Sequence, residues 1–384
     1  VKLLEYKAKE LFDKYGIPTM NGCVIDSADG MEDAIKNAGL SYPVVVKAQV
    51  QIGGRGKAGG IQFADNAAEA AAHCKRLLHS ELRGFTVNQL MIVEKANPIK
   101  EWYISILLDR DSKCPLLIFS PVGGMEIEET ARTNPEKVAK IAIDPFRGVQ
   151  GYTIDYIMDV TGADKKYKEQ LTDIVKKLFT AFFGYNTMLV EINPLVIDES
   201  DKLIALDGKV EIDDSALRIG KLPDIAEFRD QLQEDPRVKE ARGYGLHFVP
   251  LDDNGTIGIM SNGSGMMMSC LDLITQRGMS VGECMDQGGG ATRDKLKEAV
   301  RIMFLGKNIN VVLVYIFGGI TRCDEVAMGI KMALEEQPAD KKVVVRIEGT
   351  NKEQAMEIIA TMGDRVVAVD NVPGAVDALW ALLN

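Results

Sequence analysis

The sequence predicts two joined domains: an α+β N-terminal domain with antiparallel strand pairing over residues 1–235, and an α/β C-terminal domain on a parallel sheet over residues 236–384. Three observations carry this. The length of 384 residues suits two or three domains. The polar stretch Gln231-Leu232-Gln233-Glu234-Asp235-Pro236-Arg237 marks a change of texture. Beyond it the chain settles into a regular strand–loop–helix rhythm, which the first part lacks.

In the N-terminal part, apolar runs at 44–48, 90–94, 102–108, 116–119, 188–192 and 202–206 read as strands, several in hairpins. The polar run Ile197-Asp198-Glu199-Ser200-Asp201 is a turn between two of them. The chain opens on a helical stripe of Leu3, Leu4, Tyr6, Ala8, Leu11 and Phe12. C-terminal strands are expected at 256–260, 281–285, 311–317, 343–347 and 365–369, separated by helical patterns of about a dozen residues. That alternation predicts a doubly wound, flavodoxin-like sheet.

Composition narrows the function. A 46% apolar and 26% charged chain is ordinary for a soluble globular protein. No apolar run reaches membrane-spanning length, so no span is expected. The net charge of −11 argues against nucleic acid and anionic membranes as partners. Cys23, Cys74, Cys114, Cys270, Cys284 and Cys323 form no CxxC pair, so neither a disulfide framework nor a zinc site is expected. They read as reduced thiols in a cytoplasmic setting. No leader precedes the opening helix, although a removed transit peptide leaves no trace and a mitochondrial matrix origin stays open.

Glycine-rich loops follow the C-terminal strands: Asn262-Gly263-Ser264-Gly265, Gln287-Gly288-Gly289-Gly290-Ala291-Thr292, Gly318-Gly319-Ile320-Thr321-Arg322 and Glu348-Gly349-Thr350-Asn351. In a parallel sheet all sit on one edge, where glycine permits close approach and helix N-termini attract anions. One such loop is as readily a plain turn; four in register predict an anion site. Neither a GxGxxG fingerprint nor a GxxxxGK[ST] loop is present.

The N-terminal part carries a second constellation. Lys47 ends an apolar strand, and Gln51-Ile52-Gly53-Gly54-Arg55-Gly56-Lys57-Ala58-Gly59-Gly60 follows. Glycines interleaved with Arg55 and Lys57 suit a polyphosphate, or else a solvated hairpin tip. Glu94 and Glu101 are candidates for a ribose or a base amino group. The runs Glu191-Ile192-Asn193-Pro194 and Leu206-Asp207-Gly208-Lys209 each read as a strand end. Asn193 and Asp207 would face each other there, two oxygen ligands of the kind Mg²⁺ takes beside nucleotide phosphates. His73, His79 and His247 have no partner in the pattern, and GxSxG is absent, so a nucleophile of this chain is not expected.

Together these segments resemble the β subunit of succinyl-CoA synthetase. The resemblance runs end to end, from Leu4-Glu5-Tyr6-Lys7-Ala8-Lys9 through Glu191-Ile192-Asn193-Pro194-Leu195 and Gln233-Glu234-Asp235-Pro236-Arg237 to Ile316-Phe317-Gly318-Gly319-Ile320-Thr321-Arg322-Cys323-Asp324. It implies an N-terminal ATP-grasp domain and a C-terminal ligase domain. The implied reaction joins succinate to coenzyme A at the expense of ATP, with ADP and phosphate released. GTP/GDP in place of ATP/ADP stays open. The resemblance further implies a partner α subunit, in an αβ or α2β2 assembly, that carries a phosphohistidine and binds most of coenzyme A. By position, Lys47, Gly54, Arg55 and Gly56 would hold phosphates, and Glu94, Asn97 and Glu101 the base and ribose side. Asn193 and Asp207 would bind Mg²⁺, and Glu191 would meet the partner's histidine. Asn262, Gly319, Ile320 and Thr321 would bind the acid.

Departures from the family pattern stand at Tyr315 (usually Asn), Gln287 (usually Val) and Val122 (usually Glu). The first two are expected at the anion edge, so malate or another short dicarboxylate stays open beside succinate. A self-contained ATP-grasp ligase and a non-catalytic nucleotide-binding subunit are the competing classes.

Overall fold

The first helix, Glu5–Lys14, buries Glu5, Ala8, Leu11 and Phe12, a spacing of three and four that makes one face. This computed structural model describes residues 1–383, and the chain divides into two units, Val1–Gln231 and Leu232–Asn384. In the first unit one antiparallel sheet orders Gly22–Ile25, Leu90–Glu94, Val44–Ala48 and Ile61–Ala64. Val44, Val46, Leu90 and Ile92 are fully buried in it. A second sheet runs Leu203–Ala205, Thr187–Ile197, Lys100–Asp109, Cys114–Ser120 and Ala139–Ala142, with Gly208–Ile212 also paired to Thr187–Ile197. The strand expected over 188–192 instead runs from Thr187 to Ile197, and its register slips between Ile192 and Leu195. This offset takes Asn193 out of the regular ladder.

The second unit holds five parallel strands in the spatial order Val281–Asp286, Ile257–Ser261, Val311–Gly318, Lys342–Gly349, Val366–Ala368. This is the flavodoxin-like order, second, first, third, fourth, fifth. His247–Pro250 adds an antiparallel edge strand that the sequence pattern did not predict. Val311, Val312, Leu313 and Val314 are buried in succession, because helices cover both faces. One layer includes Leu296, Val300, Val326 and Ile330; the other includes Met267, Cys270, Ile274 and Leu379.

Arg237 fastens the start of this unit to its sheet. Its guanidinium reaches Glu283 at 2.6 Å and Asp235 at 2.8 Å. Glu283 is buried, and its Oε1 has no hydrogen-bond partner among the described residues. Burial pushes the carboxyl up to about 7 against the opposing pull of Arg237. A raised carboxyl holds its proton longer in the folded chain, so its stabilising contribution is complete below its ordinary value of 4.5 and is lost as pH rises towards 7. Glu283→Gln cannot ionise. Its stability relative to the unsubstituted chain is therefore expected to rise by roughly 3 kcal/mol over that window, read from urea midpoints at a series of pH values.

Candidate nucleotide and acid sites

Four segments of the first unit converge on one buried charge cluster. Lys47, on the strand Val44–Ala48, sends Nζ to Glu5 Oε1 at 2.7 Å and to the Leu206 carbonyl at 2.9 Å. Arg55 reaches Glu5 Oε2 at 2.6 Å through one Nη, and both Asp207 oxygens at 3.0 and 2.9 Å through the other. The side chains of Glu5, Lys47 and Arg55 are 3%, 9% and 8% exposed, and that of Asp207 is 31% exposed. Two cations and two carboxylates thus balance, with Asp207 on the open side. Burial alone would raise the Glu5 carboxyl, but Lys47 and Arg55 outweigh it and hold it below its ordinary value. Beside the cluster lies a small, half-open depression of about 20 Å³ whose walls include Met20, Met91, Val93, Leu206 and Asp207.

Asn193 lies next to this cluster through backbone: its N–H donates to the Asp207 carbonyl at 3.1 Å. Its side chain is engaged as well. Oδ1 accepts from the Gly124 N–H, and Nδ2 donates to the Met125 carbonyl, both at 2.9 Å. Gly123 must be glycine here, since a Cβ would lie 2.3 Å from the Trp102 carbonyl oxygen. Glu191 accepts from the Tyr103 hydroxyl at 2.9 Å, and burial pushes its carboxyl up. Gly54 and Gly56 flank Arg55 in the turn before Ile61–Ala64, and Gly54 takes a φ of 66°. Glu101 borders the same loop: its carbonyl accepts from the Gly123 N–H at 2.8 Å and its carboxylate lies against Gly124. Glu94 pairs in register with Val44, three residues along from Lys47, and accepts from the Ser41 N–H at 3.2 Å. Glu101 and Asn97 are exposed, at the start of Lys100–Asp109 and in the segment before it.

Sequence reasoning missed Glu5, Tyr103 and Gln49. Gln49 sends Nε2 towards Glu5 Oε2 at 3.4 Å and accepts from the Tyr6 N–H at 3.0 Å. The available signal was a carboxylate on the buried face of the first helix, in line with Ala8 and Phe12. Nothing comparable marked Tyr103, whose neighbours are apolar on both sides.

In the second unit the strand order reverses between Ile257–Ser261 and Val311–Gly318, where such sheets open a crevice. Asn262 lies there, its amide bonded both ways to Phe317: Nδ2 to the carbonyl at 2.7 Å, Oδ1 from the N–H at 3.1 Å. Thr321 is buried and its hydroxyl accepts from the Gly290 N–H at 2.9 Å, tying two glycine loops together. Gly319 and Ile320 are exposed, Ile320 to 87%. The helix Ser264–Gln276 begins beside Asn262 without a side-chain cap, leaving its first N–H groups for an anion.

The side chains of Tyr315 and Gln287, expected at this edge, are both buried. Tyr315 is buried among Met267, Ile274 and Leu379, beneath two helices. The Arg346 guanidinium lies over its ring at 5.1 Å and over Phe317 at 4.3 Å. Gln287 is wholly buried, and neither amide atom has a hydrogen-bond partner among the described residues. Val122, half-buried, donates its N–H to Ser120 Oγ at 3.1 Å.

Family models match on both units: an ATP-grasp domain over residues 2–197 and a CoA-ligase domain over residues 260–376. The succinate–CoA ligase [ADP-forming] subunit beta of Pyrobaculum aerophilum is 41% identical over 94% of this chain and 95% of its own length. The chain belongs to the succinate–CoA ligase β-subunit family. The same-named subunit of Desulforapulum autotrophicum is 37% identical over the whole of both chains, and that of Chloroflexus aurantiacus 40% over 94% of this one and 93% of its own length. Among solved structures, an ATP citrate lyase from Methanothrix soehngenii, determined with citrate and coenzyme A, superposes with a TM-score of 0.72 at 19% identity, covering 100% of this chain and 99% of that one. That likeness speaks to fold alone. The ATP-grasp and ligase folds expected from the resemblance are those of the family.

An unpartnered buried amide is costly in a protein interior. Gln287→Met keeps the volume and removes both orphans, and is expected to stabilise the chain by about 1–3 kcal/mol, measured by denaturant midpoint.

Proposed function

We propose that this chain is the nucleotide-binding subunit of an ADP-forming succinate–CoA ligase, active with an α-type partner. The observation that carries the nucleotide half is the buried pair Lys47 and Arg55 beside Asp207 and Asn193. Cations sunk in a protein wall bind phosphate with far more effect than cations in water. The oxygens of Asp207 and Asn193 fit Mg²⁺ by chemistry: hard donors, few in number, next to where phosphates would lie. Bound there, the ion would neutralise charge on the transferring phosphoryl group. Lys47 and Arg55 would orient the phosphates, while Glu191, held by Tyr103, would face a histidine of the partner subunit.

The acid half rests on the crevice at Asn262 and the free helix N-terminus at Ser264. Gly319, Ile320 and Thr321 border it, and a short dicarboxylate matches a site built from N–H groups and a helix dipole. Coenzyme A would be held mainly by the partner.

The test is acyl-CoA formation by the chain co-expressed with its α-type subunit, with succinate and malate and with ATP and GTP, against the chain alone. Succinate-dependent activity in the pair alone is expected. Activity with another acid moves the substrate. No activity with any acid in a stable complex overturns the ligase reading. Within an active pair, Lys47→Met should lower kcat by about 10²–10³-fold while the circular dichroism spectrum stays unchanged.

A further inference from the structure

The two cations assigned to phosphate already hold a carboxylate between them. Glu5 presents one oxygen to Lys47 at 2.7 Å and the other to Arg55 at 2.6 Å. Its side chain is 3% exposed, and Gln49 steadies it. The remaining donors are committed too: Lys47 to the Leu206 carbonyl, Arg55 to the Ala48 carbonyl and to both oxygens of Asp207. Asn193 Oδ1 is taken by the Gly124 N–H. Incoming phosphates and metal therefore meet groups that must change partners.

We propose that Glu5 is the internal counter-ion of the nucleotide site: with the site empty it occupies Lys47 and Arg55, and nucleotide phosphates compete with it for those two cations. The inference rests on the nucleotide reading above. Physically, an unpaired buried cation pair is expensive, so a resident carboxylate stabilises the empty site. The same carboxylate then opposes phosphate binding, because Lys47 and Arg55 must release Glu5 before they can bond to phosphate. Arg55 couples the exchange to the metal ligand. When phosphate draws Arg55 away from Asp207, both Asp207 oxygens become free at the moment the metal arrives.

This reading differs in sign from a purely structural role for Glu5. If Glu5 only pre-organised Lys47 and Arg55, its loss would weaken nucleotide binding. Competition predicts the reverse: a less stable empty chain that binds nucleotide more tightly.

The experiment is calorimetric titration of the full chain with ADP, with and without MgCl₂, alongside thermal melts. Glu5→Gln is expected to lower the Tm of the empty chain, enlarge the ADP-induced Tm shift, and reduce the ADP Kd by about tenfold. Glu5→Asp keeps the charge but is one methylene short of spanning both cations, so it should shift Kd in the same direction by less. It decides the question if the Gln variant does not fold. An ADP Kd that is unchanged or raised in a folded variant overturns the proposal. Failure of the unsubstituted chain to bind ADP overturns the nucleotide reading itself, and this inference with it.

Discussion

The buried ion cluster of Glu5, Lys47, Arg55 and Asp207 is the interaction on which the first unit is organised. It joins the opening helix, the strand Val44–Ala48, the glycine-rich turn after it and the end of the segment before Gly208–Ile212. The ion pairs span from 42 residues of chain, Glu5 to Lys47, to 152, Arg55 to Asp207. Such a cluster is a poor way to gain stability, since burying charges costs about as much as their pairing returns. A well-packed apolar junction would serve a scaffold equally well. Its presence fits the proposed reading, in which these cations serve an incoming anion.

A parallel arrangement recurs in the second unit. Asn262 is latched to the Phe317 backbone, and Thr321 to Gly290, so the crevice at the strand reversal is closed upon itself by hydrogen bonds. Gly349 belongs to the same construction. Its φ of 124° and the approach of the Gly318 carbonyl oxygen, which would stand 1.9 Å from a Cβ, leave room only for glycine between the third and fourth strand ends. The glycine content of this edge therefore has two sources: loops that open towards a ligand, and strand ends that touch each other.

Much of this was legible in the sequence, and unevenly so. The parallel strands stood out because burial on both faces makes them continuous apolar runs, as at Val311–Val314. Short edge strands did not: Gly22–Ile25 and His247–Pro250 alternate weakly and are four residues long. The strand through Glu191 was cut short at Pro194, because a proline inside a run reads as its end; the register slip that accommodates it is a tertiary event. Lys47, Arg55, Asn193 and Asp207 could be picked out by type and setting. Their mutual pairing could not, and Glu5 was marked only by its place on the apolar face of the first helix. Tyr315 and Gln287 show the converse. Their positions at strand ends suggested a reshaped pocket, whereas both side chains are buried, Tyr315 in the layer beneath the helices, where alternation along its strand turns it.

What the chain lacks also has a physical reading. Glu191 is half-buried, its carboxyl is raised by that burial, and it accepts a hydrogen bond from Tyr103. An acceptor poised in this way can orient a donor, but it is a weak nucleophile towards phosphorus. The chain's own histidines are placed elsewhere: His73 within the helix Ala67–Leu77, His79 just after it, and His247 exposed on an edge strand of the other unit. On the proposed reading, the group that carries the phosphoryl would come to Glu191 from the partner subunit. That requirement, more than any missing motif, is why a phosphate-binding cluster and an anion crevice on one polypeptide make sense as one subunit of a larger enzyme.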